Sequence, residues 1–73
     1  MRKHDKEIID DKSREEWLPL ILNWIHNAKD RQMFIRWALD GMSLEEVAAE
    51  FNLSANYCQE RVEKAKKQLF KHI

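Results

Sequence analysis

The sequence predicts an all-α fold, a small four-helix domain with a C-terminal helix-turn-helix, and three observations carry that expectation. One glycine and one proline in 73 residues leave almost no chemistry for hairpin turns. The apolar residues recur at three- and four-residue spacing. Ser13, Ser43 and Ser54 each stand ahead of such an apolar series, and serine is a residue type that caps helix N-termini.

Residues 1–12, MRKHDKEIIDDK, alternate charges around the pair Ile8 and Ile9, too little to hold an isolated helix. A flexible N-terminal arm is expected there, followed by one domain over residues 13–73. Ser13 and Glu16 have the spacing of a capping box, and Trp17, Ile21, Trp24, Ile25 and Ala28 then share one helical stripe flanked by Leu18 and Leu22, giving a first helix near 14–28. Pro19 lacks an N–H and disfavours helical geometry at Leu18, so the helix either starts at Pro19 or bends there. Asp30 is the expected N-cap of a second helix near 30–40 that carries Phe34, Trp37 and Ala38, and Gly41 supplies the left-handed residue after its end.

Ser43 and Glu46 repeat the capping-box spacing ahead of Leu44, Val47, Ala48 and Phe51, a helix near 44–51. Asn52 and Leu53 turn the chain. Ser54 caps a final helix near 54–71 whose inner stripe reads Cys58, Val62, Ala65 and Leu69.

Thirteen Lys and Arg balance thirteen Asp and Glu, so no global positive field announces nucleic acid. Only residues 54–73, with five basic and two acidic side chains, are net basic. The lone Cys58 cannot form an internal disulfide, and His4, His26 and His72 share no ligand spacing, so no structural metal and no cofactor are expected. The longest apolar run, Trp17 to Leu22, is far short of a membrane span of about 20 residues. The expectation is a cytoplasmic protein, too small for a substrate cleft and not an enzyme.

A short helix with the small pair Ala48 and Ala49, a brief turn and then a longer helix is the outline of a helix-turn-helix, in which two helices need close backbone approach and Leu53 plugs the turn. Residues 41–54, GMSLEEVAAEFNLS, resemble the fourth region of bacterial RNA polymerase sigma factors, with its pattern Gly-x-Ser-x-x-Glu-Ile-Ala-x-x-Leu-x-Ile-Ser. Downstream, Arg61, Val62, Lys64, Ala65 and Leu69 resemble the Arg-Leu-x-Arg-Ala-x-x-x-Leu ending of the extracytoplasmic-function type, and the likeness runs from about Trp24 to Leu69.

The resemblance implies a transcription regulator that binds promoter DNA, RNA polymerase or both. If the final helix enters a major groove, Ala55, Asn56, Gln59, Glu60 and Glu63 are the base-reading candidates, since Asn and Gln pair with adenine and Glu accepts from cytosine N4. Arg61, Lys64, Lys66, Lys67 and Lys71 are the phosphate candidates. Trp17, Leu20 and Trp24 offer more apolar surface than one small core can bury, so either the N-terminal arm covers them or they form a partner surface. The resemblance points that surface at the flap of the polymerase β-subunit or at another sigma-type subunit, and a homodimer is the other simple answer. An alternative reading is a helical protein-interaction module, an anti-sigma-like decoy or dimeric adaptor that has lost DNA reading, because Glu60 and Glu63 on the reading face repel phosphate.

Overall fold

The structure is a computed structural model that describes residues 3–73, all-helical over that span, with five helices among the described residues: α1 (Lys3–Asp10), α2 (Arg14–Trp24), α3 (Ala28–Ala38), α4 (Leu44–Phe51) and α5 (Ala55–Phe70). The helix α5 is the hub, packed against α2, α3 and α4, while α3 also meets α4. The extents are 29 × 25 × 19 Å.

Capping sets most boundaries. Before both α2 and α4 the box forms as the spacing predicts: Ser13 Oγ accepts from Glu16 N–H at 3.2 Å and Ser43 Oγ from Glu46 N–H at 3.1 Å, with each glutamate accepting in return from the serine N–H. Pro19 lies inside α2 without ending it. It removes only the bond to the Glu15 carbonyl, which sits on the solvent side of an exposed residue where water can replace the donor. The expected first helix stops four residues early, at Trp24, because Asn27 rather than Asp30 caps α3, its side-chain oxygen accepting from Lys29 N–H at 2.9 Å and Asp30 N–H at 3.1 Å. Asp30 is thereby moved inside the first turn of α3, where it is buried.

Four expected helices become five because the stretch read as a flexible arm contains α1; the first two residues of that arm lie outside the described residues. An eight-residue helix does not stand alone. Distant parts of the chain hold it: Ile9 is buried in the core, its carbonyl accepts the Trp17 indole N–H at 2.7 Å, and Asp5 pairs with Lys66 at 3.1 Å.

The core consists of Ile9, Trp17, Ile21, Ile25, Met33, Phe34, Trp37, Ala38, Val47, Ala48, Cys58, Val62, Ala65 and Leu69. Leu44 and Phe51, from the apolar series of α4, and Leu53, from the turn, are half-buried against it. Trp17 corrects the expected partner surface: it is 1% exposed, covered by α1 and tilted against Phe70 at 6.5 Å between ring centres. Leu20 and Trp24 are half-buried on the same core, and Trp24 stacks on His72 with ring centres 3.6 Å apart. Leu22, 62% exposed, is the large apolar side chain that α2 leaves in solvent.

Candidate nucleic-acid interface

The connection between α4 and α5 is only Asn52, Leu53 and Ser54. Asn52 adopts the left-handed conformation, φ 61°, its N–H reaching the Ala49 carbonyl at 3.3 Å and the Leu53 N–H reaching the Ala48 carbonyl at 2.8 Å. That pair of bonds satisfies the carbonyls at the end of α4 and reverses the chain in one residue. Leu53 then tucks against the core, and Ser54 Oγ accepts from Tyr57 N–H at 3.2 Å to start α5.

The core stripe of α5 (Cys58, Val62, Ala65, Leu69) is buried, which fixes the rotation of the helix and turns the opposite side outward. On that side Asn56, Gln59, Glu60, Glu63, Lys64 and Lys67 line a shallow groove. Of the base-reading candidates, Asn56, Gln59 and Glu60 are exposed, whereas Ala55 and Glu63 are half-buried. Tyr57 stands in solvent beside them.

The five expected phosphate contacts divide into two groups. Lys64, Lys67 and Lys71 are exposed and have no carboxylate within ion-pair distance among the described residues. Arg61 and Lys66 are tied inside the fold. Arg61 grips Asp30 with both edges of its guanidinium, Nε to Oδ1 at 2.9 Å and Nη2 to Oδ2 at 2.5 Å, and Asp30 is only 4% exposed. That hydrogen-bonded carboxylate raises the arginine pKa still further above its ordinary value, so the guanidinium stays charged. Lys66 Nζ lies 3.1 Å from Asp5 and 2.9 Å from Glu63, its side chain only 11% exposed. Burial pulls the Lys66 ammonium down, but hydrogen bonds to Glu63 and Asp5 outweigh it and leave the pKa raised.

Reasoning from local spacing missed Asp5 and Asp30 as partners of these cations. Asp30 stands 31 residues from Arg61 and Asp5 61 residues from Lys66, separations at which no helical period links them. The available signal was the pairing of isolated acids with basic residues at the rim of the α5 stripe, visible only once the helices are packed. Elsewhere, Arg14 reaches Asp40 at 2.6 Å, joining the start of α2 to the end of α3, and Arg36 pairs with Glu50 while lying 5.0 Å over the Phe51 ring, joining α3 to α4. Burial raises the pKa of Cys58, so its thiol stays protonated and inert. No helix among the described residues is long and apolar enough to cross a membrane.

Comparison of the chain with protein-family models, with curated proteins and with solved structures returned no match.

Proposed function

We propose that the chain is a transcription regulator of the sigma-region-four kind, in which α4, its turn and α5 act as a helix-turn-helix on promoter DNA, in association with RNA polymerase. The observation that carries this reading is the outward groove of α5, where Asn56 and Gln59 stand on the entering part of the helix while Lys64 and Lys67 stand farther along it. This is the division of labour a major-groove helix needs, amides for base edges and cations for the flanking phosphates. The tight turn at Asn52 and the buried stripe of α5 hold that face to solvent.

Titration of promoter-like and random duplexes at low and moderate salt tests it. Gln59→Ala should lose roughly 1–3 kcal/mol on a preferred site and little on random duplex, because a bidentate base contact carries sequence information. Lys67→Ala should weaken both alike and flatten the dependence of log affinity on log salt by about one unit. With Arg61 and Lys66 committed to Asp30 and Asp5, three cations remain, so the parent slope should be about 3 or less in magnitude.

One observation favours a second reading. Glu60 and Glu63 share the groove with Lys64 and Lys67, which leaves the reading face without net charge. A protein-interaction module has no need of a cationic face, and absence of duplex binding at low salt, even with polymerase present, would assign the groove to a protein partner.

A further inference from the structure

Gln59, Glu63 and Lys66 stand at i, i+4 and i+7 on α5, one row along the helix. The row begins in the outward groove and ends under α1. At that end the Lys66 ammonium is held by Asp5 of α1 and by Glu63 of its own helix. The other ties of α1 described above lead away from the groove: Ile9 enters the core and its carbonyl takes the Trp17 indole N–H; just past the helix, Lys12 lies 5.5 Å over the Trp17 ring. Among the described residues, Asp5 is therefore the side chain of α1 whose ion pair reaches the candidate DNA row.

We infer that α1 is an intramolecular strap whose Asp5 masks Lys66, a latent phosphate contact that joins the DNA-binding face only when the strap lets go. The inference rests on the DNA-binding reading of the α5 groove. Three properties suit α1 to the role. It is eight residues long, too short to keep its helix once detached. Its neighbour α2 starts from its own capping box at Ser13, so release of α1 uncovers Trp17 but leaves the cap of α2 intact. The carboxylate it offers Lys66 is the same class of ligand as a phosphate oxygen, so duplex and strap compete for one ammonium.

The test is a cycle of four full-length proteins: parent, Asp5→Asn, Lys66→Gln and the double variant, each titrated with a duplex over a range of salt after its helical content has been checked. Asp5→Asn should bind tighter than the parent, on the order of a few-fold at low salt, with a slope steeper by up to about one unit, since Glu63 still holds part of the Lys66 charge. Lys66→Gln should lose clearly less than Lys67→Ala on the same duplex, because a masked cation makes little of its phosphate contact in the parent. In the double variant the gain should vanish. Labelling with an amine-reactive reagent gives a readout without DNA: Lys66 should react slowly in the parent and faster in Asp5→Asn, where only the Glu63 pairing remains, while Lys67 reacts at one rate in both.

Equal affinity and slope for parent and Asp5→Asn overturns the strap alone, as does equal labelling of Lys66. A loss on Lys66→Gln matching that of Lys67→Ala overturns it too, and needs no Asp5 variant to fold. Failure of every variant to bind any duplex overturns the DNA reading and the strap together.

Discussion

Asp30 and Arg61 show how a single pair governs the placement of the outward face of α5. The carboxylate is buried and the guanidinium caps it from α5, so the bridge pins the middle of α5 to the first turn of α3. Arg61→Leu would strand the carboxylate, with the start of α3 offering some compensation through its dipole, and should cost about 3 kcal/mol, read as a lower urea midpoint at unchanged m. Replacing both partners with apolar residues, Asp30→Leu and Arg61→Met, should recover most of that loss, since the cost lies in the unpaired charge. Glu46 offers a milder test in pH. Its bonds from the Ser43 backbone and then the Ser43 hydroxyl lower its carboxyl pKa below the ordinary value of 4.5. A lowered folded pKa contributes stability above the unfolded value and loses it as pH falls through the folded one. The melting-temperature advantage of the parent over Glu46→Ala should therefore be full at neutral pH and shrink on acidification below the ordinary carboxylate range.

Helices are where the sequence is most legible, and the reasons differ from one to the next. The two capping boxes and the turn at Asn52 are local chemistry, with donor and acceptor three residues apart, so Ser13, Ser43 and Asn52 announce the starts of α2 and α4 and the end of α4. The left-handed residue there can be tested directly. Asn52→Val forces a β-branched side chain to positive φ and should cost about 1–2 kcal/mol in a thermal or denaturant melt, whereas Asn52→Gly should be close to neutral. By contrast, the inner face of α1 carries only Ile8 and Ile9 as apolar residues, and much of what stabilises it comes from Trp17 and Lys66. A pattern read locally cannot see such ties. The α2–α3 break is hard to place for a different reason: Asn27 and Asp30 are both good cap residues by type, and the structure uses Asn27 as the cap while Asp30, inside the first turn, pairs with Arg61. The outward positions Asn56, Gln59 and Glu60 followed from the apolar stripe by elimination, while the commitment of Arg61 and Lys66 did not, since a basic residue beside a stripe looks the same paired or free.

For the molecule as a whole, one continuous core carries the stability of all five helices, and a chain this small has little to spare. Val47, fully buried where α4 meets the core, is a suitable probe: Val47→Asp would bury an unpaired charge and should abolish cooperative melting by circular dichroism at room temperature. Trp17 inside the fold also removes much of the apolar surface that argued for self-association, and sedimentation at micromolar concentration should return the 8.9 kDa of a single chain. Cys58 connects this scale to something measurable without any substitution. It is the chain's one thiol and has no exposed surface, so a thiol-reactive dye meets it only when the fold opens around α5. The natural protein thus carries its own clock: in the regime where closing outruns labelling, the dye's reaction rate divided by that of an unfolded thiol is the fraction of molecules open at any instant.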